Sequence, residues 1–518
     1  MRHLPTTVLS AVLLLSGSGA ARGASDTTTY PLPAVATAQV VTVHDLIVAA
    51  LNSNLELQAK RLDPQIQQTH VDAAWGTFDP TLSAGALEEK SSRPQNEQDF
   101  LSTGSIARIF NEENVRLQAG ISGKLPTGTE LELNTTAARL NNSLNQATGS
   151  LTSALFHPEY QAGATLTVTQ PLLKDFGPTA NLAEVHLAKS ARLVSENELR
   201  TTVEHVISQV LGACFETYFA QENIRVKEEA IALAKNLVRE NQRRVDEGRM
   251  SPIEVSQAQS RLAEAEEELI LARNFLAQRQ NTLRELTQEK FDFNAPDLVI
   301  SADHLDLPAP TDSRDRLLAD VFTHNSVYLA AEEVAKSEDI RVDYAKNQKL
   351  PRVDLRGSLG VTGLNDYWDS SYTDFTHRNT PDWSIGVVVS YPLLGKTGTA
   401  RVTEARDRKL QAALNIKHTE LQLLSAFDTA LRDIDAARQR LLLVQDSVRF
   451  AQDSLTAEEK RLGSGLTTSY NVANQQKELS QARTRALSTQ VDFNKAVTQL
   501  YLVQGVLADR MQVLVKAQ

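Results

Sequence analysis

Two hydrophobic patterns alternate along this chain, and each of them occurs twice. Residues 164–169 and 383–391 place apolar side chains at every second position, which predicts strands with one apolar and one polar face. Residues 180–246 and 399–462 instead show a helical pattern that is nearly free of Gly and Pro. At a rise of 1.5 Å per residue, helices of roughly 65 residues would reach on the order of 100 Å. The patterns therefore predict an elongated molecule.

The same succession of landmarks in both halves indicates an internal duplication. The matching pairs are Asn54 and Asn325, Pro80 and Pro351, Pro171 and Pro392, and Gly248 and Gly465. The first two pairs are 271 residues apart, the third is 221 residues apart and the fourth is 217. The drop from 271 to 221 predicts that the first copy holds about 50 extra residues between Pro80 and Pro171.

The duplication predicts the domain limits. Residues 1–23 combine a basic start, a short apolar run and small residues, as in a secretory signal peptide. The segments that follow are an N-terminal extension (24–41), a first repeat (42–288), a linker (289–312), a second repeat (313–506) and a C-terminal tail (507–518). Strands are expected over about 80–170 and 351–392, and helical hairpins over about 180–288 and 399–506.

The strand-like segments carry the pattern of a sheet between lipid and water. Val115, Leu117, Ala119 and Ile121 share one face, and Arg116 belongs to the polar opposite face. Lipid accepts apolar side chains, and a closed sheet leaves no unpaired backbone edge, so the alternation predicts a β-barrel with a wet lumen. A soluble sandwich with one wet face is the alternative. The long helices after each set of strands favour the barrel, because compact domains do not need them.

Each long helical segment is followed by a glycine-containing turn and a second helix. The turns around Gly248 and Gly465 are predicted to be the tips of two antiparallel hairpins. In the first copy the predicted seam, interrupted by Arg279, is Ala258, Leu262, Ala265, Leu269, Ala272, Leu276, Leu283 and Leu286. In the second copy it is Leu479, Ala482, Ala486, Thr489, Phe493, Ala496, Leu500 and Val503. An ordinary soluble coiled coil is the alternative for this region taken alone.

Similar stretches join the strands to the long helices in both copies. QPLLKDFGPTA covers residues 170–180, and YPLLGKTGTA covers residues 391–400. Proline lacks the backbone donor that a strand ladder needs, so each stretch is predicted to mark the place where a strand leaves the sheet and a helix begins. The predicted junction residues are Pro171, Leu172, Pro392 and Leu393.

Composition and charge narrow the function further. The chain holds 53 basic and 64 acidic residues, a net charge of −11, without a basic cluster, which argues against a nucleic-acid partner. The single cysteine, Cys214, is predicted to be a small buried apolar residue. The GKTGT stretch has Ser390 where a phosphate loop needs glycine, and the histidines have no paired metal-ligand spacing. We therefore predict no enzyme activity, metal or cofactor.

The signal peptide, the duplicated layout, the two PLL junctions and the turns EGRMSPIEV and GSGLTTSYNV together resemble the TolC family of outer-membrane channel-tunnels. The resemblance covers about residues 42–506. It implies a mixed α and β membrane protein, a homotrimer that shares an outer-membrane β-barrel and continues into a long periplasmic α-helical barrel.

The resemblance also implies a function and partners. The chain would be the exit duct of a tripartite efflux pump or type I secretion system in the outer membrane of a Gram-negative bacterium. The implied partners are a periplasmic adaptor (membrane fusion) protein, an inner-membrane transporter of RND, ABC or MFS type, and outer-membrane lipid.

The first copy departs from the family's usual four strands per protomer, or twelve in the trimer. Its extra residues contain two more alternating stretches, 115–123 and 129–137, joined by KLPTG. One interpretation is a larger barrel of about eighteen strands. The other is an extracellular hairpin on a normal barrel, and the sequence leaves both open.

By the same resemblance, the helical tips close the tunnel at rest and contact the adaptor. The candidate adaptor-contact residues are Gly248, Met250, Ser251, Gly465, Thr467 and Thr468. The candidate residues of a periplasmic aperture are Glu254, Asn471 and Asn474. Three Glu254 side chains around a threefold axis would favour cations. The alternative is a solvated glutamate at a helix end.

Two classes of function agree with these patterns. The first is a passive outer-membrane conduit that opens at its periplasmic helical tips. The alternative is a soluble periplasmic coiled-coil adaptor or scaffold protein, which has no use for apolar strands that end in PLL in both copies. The exported substrate cannot be inferred from these features, because the transporter usually selects it.

Overall fold

The computed structural model describes residues 39–94, 96–97, 109–143, 156, 158–293, 295–301, 308–377 and 381–512. The predicted signal peptide (1–23) lies outside the described residues. The first copy contains β1 (Gln39–Val41), α1 (Val43–Ser53), α2 (Leu55–Trp75), a 3-10 helix (Gly76–Phe78), β2 (Thr81–Pro94), β3 (Ile109–Lys124), β4 (Glu130–Asn142), β5 (Glu159–Pro171), α3 (Pro178–Asn181), α4 (Ala183–Asp246) and α5 (Pro252–Thr287). These elements are followed by β6 (Leu298–Ile300), α6 (Arg314–His324), α7 (Ser326–Gln348), β7 (Arg352–Asn365), α8 (Trp368–His377), β8 (Pro381–Ser390), α9 (Lys396–Gly463), α10 (Ser469–Gln504) and α11 (Leu507–Arg510).

In each copy an asparagine interrupts the opening helical segment and caps the helix that follows. Asn54 lies between α1 and α2, and its side-chain oxygen accepts a hydrogen bond from the N–H of Leu57 at 3.0 Å. Asn325 lies between α6 and α7 and accepts from the N–H groups of Val327 and Tyr328 at 3.0 and 3.1 Å. Asparagine satisfies the free N–H groups at a helix start, so this landmark has the same structural role in both copies.

The long strands form one six-stranded antiparallel sheet. Its order is β2-β3-β4-β5-β7-β8, so each long strand pairs with the next one along the chain. The first copy supplies four of these strands and the second copy supplies two. β1 and β6 pair in parallel in a separate small sheet, which connects the start of the first copy to the linker.

The register of the large sheet separates apolar and polar side chains into rows. One row of direct cross-strand partners contains Leu82, Ile121, Leu133, Leu166, Leu359 and Trp383. The adjacent row, which faces the opposite side, contains Thr81, Ser122, Glu132, Thr167, Ser358 and Ser384. Side chains of the apolar row are between 43% and 74% exposed in the single chain. An apolar face of this extent needs an apolar environment outside the chain.

The four long helices pack as two antiparallel hairpins. α4 has 64 residues and α9 has 68, so each helix is about 100 Å long, and α5 and α10 return beside them. All of the predicted seam residues on α5 and α10 are buried or half-buried. Arg279, which interrupts the seam, pairs with Glu216 of α4 at 2.7 Å, and Lys495 of α10 lies 2.5 Å from the same carboxylate. The interruption is therefore an ion-pair site between helices.

The main hydrophobic core forms where α1, α4, α6, α9 and α10 meet the β1–β6 sheet. Cys214 is fully buried in this core, as predicted. The start of the C-terminal tail also packs here, and the N–H groups of Leu507 and Ala508 donate to the Glu204 carboxylate at 3.1 and 3.3 Å. Across the described ranges, every helix is too short or too polar to cross a bilayer.

Candidate functional site

The two hairpin tips have the same backbone geometry. Gly248 and Gly465 both have a φ of +71°, a left-handed conformation that glycine adopts without steric cost. The N–H of Arg249 donates to the carbonyl five residues earlier at 2.8 Å, and the N–H of Leu466 does the same in the second tip at 2.9 Å. These bonds close the preceding helix in the Schellman pattern. The two glycines are therefore required by the shape of the turns.

A small hydrophobic cluster joins the two hairpins near their tips. Its members come from all four long helices: Leu237, Ala258, Leu455, Leu462, Val472, Ala473 and Leu479. Met250, one of the predicted adaptor-contact residues, is half-buried against this cluster. The Arg244 guanidinium adds a polar contact, because it donates to the carbonyl of Leu462 at 2.8 Å. The hairpins are thus fastened to each other close to the end of the molecule.

The other predicted adaptor-contact residues lie at the surface of the tips. Gly248, Ser251, Gly465 and Thr468 are exposed, and Thr467 is half-buried. The Thr467 hydroxyl donates to the carboxylate of Glu458 on α9. Leu466, which the sequence analysis did not single out, is 71% exposed. The second tip therefore offers an apolar side chain between its two turn residues.

The three predicted aperture residues lie close to the tips on α5 and α10. Glu254 is half-buried, and its carboxylate accepts a hydrogen bond from the hydroxyl of Ser469 on the other hairpin. Asn474 accepts a hydrogen bond from Arg261 at 3.2 Å, also across the hairpins. Asn471 is exposed. Two of the three residues therefore connect the hairpins within one chain, and a ring of three Glu254 side chains stays a prediction.

A charged cluster beside these residues was missed by the sequence analysis. Arg261 donates to Glu264 at 2.8 Å and lies 5.6 Å from the ring centroid of Tyr470. Lys477 lies 3.6 Å from the same Glu264 carboxylate. The hydrogen bond with Asn474 and the charge of Arg261 lower the pKa of Tyr470, and the hydrogen bond from Arg261 lowers the pKa of Glu264. Only the four-residue spacing of Tyr470 and Asn474, which puts them on one helix face, could have pointed to this site.

The two predicted strand-to-helix junctions differ in their surroundings. In the first, Pro171 is buried, and the N–H of Leu172 donates to the carbonyl of Val353 in the second copy at 2.7 Å. In the second, Pro392 is exposed, Leu393 is 94% exposed and the leucine after it is 82% exposed. Among the described residues of one chain, the second junction lacks the cover that the first receives.

Comparison with known proteins matches both copies of the repeat. The sequence model of a family described as outer membrane efflux protein matches residues 46–288 and 329–506. Outer membrane protein TolC of Vibrio cholerae serotype O1 is 24% identical over 321 residues, which cover 61% of this chain and 71% of TolC. Outer membrane efflux protein BepC of Brucella suis biovar 1 is 22% identical over 383 residues, or 73% of this chain and 79% of BepC. The crystal structure of VceC from Vibrio cholerae shares the fold, with a TM-score of 0.62 at 18% identity over 92% of this chain and 97% of VceC.

Proposed function

Because this chain belongs to the outer membrane efflux protein family, we propose that it forms a passive, water-filled duct through which an efflux system releases its cargo. The family match confirms the predicted relationship to TolC and the location in the outer membrane. The chain has the mixed α and β fold of these channels. The closed barrel, the ring of three chains and the opening of the tips are further parts of the proposal.

The apolar row that crosses all six strands is the observation that carries the proposal. Its side chains are exposed on one face of the sheet, while the adjacent row on the other face is polar from Thr81 to Ser384. A membrane barrel needs this combination, because lipid surrounds one face and water fills the other. The long helical hairpins leave the sheet at one end and extend the duct into the periplasm.

The internal repeat supports closure of the sheet by neighbouring chains. Within one chain, β5 pairs with β7 so that Pro171 lies opposite Asp354. Moving each residue to its equivalent in the other copy, by 221 and 271 residues, places Pro392 after β8 opposite Ser83 of β2. Since β8 and β2 are the two edge strands, this contact joins one chain to the next. Repeated head-to-tail contacts close a ring, and three copies give the trimer that the family resemblance implies.

The same shift keeps the apolar face continuous across the contact between chains. It places Tyr391 opposite Ala84, and Val389 opposite Ala86. Both pairs lie on the face that contains Leu82. The contact would also satisfy the backbone groups of two edge strands, which lipid cannot do.

The periplasmic tips are the proposed site of opening and of adaptor contact. The cluster of Arg261, Asn474 and Tyr470 and the bond between Glu254 and Ser469 hold the two hairpins together. These contacts are noncovalent, so an adaptor protein that binds the exposed turns can separate them. We propose that Glu254, Asn471 and Asn474 line the aperture. An inner-membrane transporter of RND, ABC or MFS type would supply the energy.

Disulfide cross-linking tests the barrel, the register and the number of chains in one experiment. Residues directly opposite on paired strands are close enough for a disulfide. We expect Tyr391→Cys combined with Ala84→Cys to give a covalent trimer in outer membranes under oxidising conditions. The matched control, Tyr391→Cys with Gly85→Cys, points the two thiols to opposite faces and should stay monomeric on a denaturing gel.

Cross-linking of the control pair, or of neither pair, would contradict the proposed register. Purified protein should form trimers in detergent and conduct ions in a planar bilayer. A monodisperse protein that needs no detergent and forms no pore would instead support the soluble scaffold alternative.

A further inference from the structure

The hairpin formed by β3 and β4 has the features of membrane wall strands. We propose that both strands belong to the barrel wall, so that each chain contributes six strands and the exit mouth contains about eighteen. This inference rests on the proposed function, because it assumes that the sheet closes in a ring of three chains. It assigns the extra residues of the first copy a definite role, which is to widen the outer end of the duct.

The length of the pairing is the first argument. β3 has 16 residues and β4 has 13, compared with 14 in β7 and 10 in β8. β3 is paired with β2 from Thr81 opposite Ser122 to Pro94 opposite Ile109, which is the whole length of β2. A hairpin that stood above the membrane would continue beyond its neighbours. These strands instead run beside β2 and β5 through the region that lipid would cover.

The side-chain pattern is the second argument. In the apolar row, Ile121 of β3 and Leu133 of β4 lie between Leu82 of β2 and Leu166 of β5. Ile121 is 50% exposed and Leu133 is 49% exposed, close to the 43% of Leu166. On the opposite face, the same two strands continue the polar row with serine and glutamate. An insertion outside the membrane would have no physical reason to keep both rows in phase.

The turn between the strands is the third argument. Gly128 has a φ of +90°, and a Cβ atom there would lie 2.3 Å from the carbonyl oxygen of Asp175, in the first strand-to-helix junction. The N–H of Gly177 donates to the carbonyl of Thr127 at 3.0 Å. The turn therefore rests on the junction at the helical end of the sheet. An extracellular hairpin would have its turn at the opposite end.

A wider mouth changes where the duct can select its cargo. Barrel diameter grows roughly in proportion to strand number, so a wall of eighteen strands is about half as wide again as one of twelve. Each chain still supplies only four long helices to the tunnel. The duct would therefore flare toward its exit, and size selection would occur at the periplasmic tips. The added strands also bring Glu132 to the lumen face.

Two pairs of single-cysteine variants test the wall assignment. On β4 we would compare Glu132→Cys, predicted to face the lumen, with its neighbour Leu133→Cys, predicted to face lipid. On β8 the reference pair is Ser384→Cys and Ile385→Cys, which continue the same alternation. Burial raises the pKa of the native Cys214 thiol to about 12, so background labelling should be low. Each variant is treated in outer membranes with a charged, water-soluble maleimide.

The expected result is the same alternation in both strands. The lumen-facing thiols should react at least tenfold faster than the lipid-facing thiols, which should react instead with a lipid-soluble maleimide. If the β8 pair alternates but both β4 thiols react with the water-soluble reagent, the wall assignment is wrong while the duct stands. If neither pair alternates, the membrane sheet itself is wrong, and the proposed function fails with it. Particle images of the unmodified protein give an independent strand count, and twelve strands in the wall would overturn the inference.

Discussion

The two copies of the repeat are alike at the helical tips and different at the sheet. Both tips turn through a glycine with the same φ of +71°, because any close antiparallel hairpin of this kind needs a left-handed residue there. At the sheet, the first copy supplies four strands and has a covered junction, whereas the second supplies two and exposes Leu393 and Leu394. The difference teaches that one junction is completed inside the chain and the other requires a neighbour.

The largest effect is expected from charge at the exposed junction. The double variant Leu393→Asp, Leu394→Asp should leave the single chain folded, because both side chains are nearly fully exposed in it. It should abolish the trimer, since burial of two leucines is worth about 3–6 kcal/mol per contact between chains. The oligomer mass in detergent measures the result.

Two control variants make this comparison sharper. Leu466→Asp changes a leucine that is 71% exposed at a tip, and we expect it to leave the trimer intact. Leu172→Asp in the covered junction should instead reduce the amount of folded chain. A normal trimer in the Leu393, Leu394 double variant would show that the two junctions do not differ in the way described.

The next largest effect is expected where the two tips contact each other. Arg261→Ala removes the hydrogen bond to Asn474 and the cation–π contact with Tyr470, which together contribute roughly 1–3 kcal/mol per chain. The hairpins should separate more easily, and single-channel conductance should rise several-fold. Arg249→Ala is the matched control, because Arg249 is paired with Glu247 within one tip. Equal conductance in both variants would argue against a closing role for Arg261.

A smaller effect is expected from the acidic residue that only the first copy carries among the predicted aperture positions. Glu254→Gln removes the charge, yet its amide oxygen can still accept the hydrogen bond from Ser469. We therefore expect an intact tunnel whose preference for cations falls about twofold in reversal-potential measurements. Glu247→Gln is the control, since Glu247 is paired with arginines of its own hairpin. Unchanged selectivity would keep the tunnel and remove the aperture ring.

Local sequence patterns predicted some parts of the molecule and not others. The glycine turns and the hairpin seams follow from backbone freedom and from the spacing of apolar residues along one helix, so they were predictable. The place of β3 and β4 inside the sheet depends on which distant strands pair. The contact of Arg261 with Tyr470 depends in the same way on two hairpins meeting. In the sequence, Arg261 and Glu264 look like an ordinary solvated pair on one helix, which is why the cluster was missed.

The smallest predicted effect concerns the contact by which the first copy holds the end of the second. Burial raises the pKa of Glu204 to about 7, although hydrogen bonds from Ala508 and Leu507 favour its charged form. The folded protein thus binds this proton more tightly than the unfolded chain. The resulting stabilisation is complete below the ordinary pKa of 4.5 and is lost as the pH rises through about 7.

Replacing Glu204 by Gln should remove this pH dependence, because glutamine keeps an acceptor oxygen without a titrating proton. Between pH 5 and pH 8 we expect the melting temperature of the unmodified protein to fall by a few degrees more than that of Glu204→Gln. Proteolysis of the C-terminal tail should increase over the same range in the unmodified protein only. Identical pH profiles for the two proteins would show that the tail is held by the packing of Leu507 and Ala508, which are buried in the core. In that case the first copy would hold the second by apolar contacts alone, as it does in the cluster near the tips.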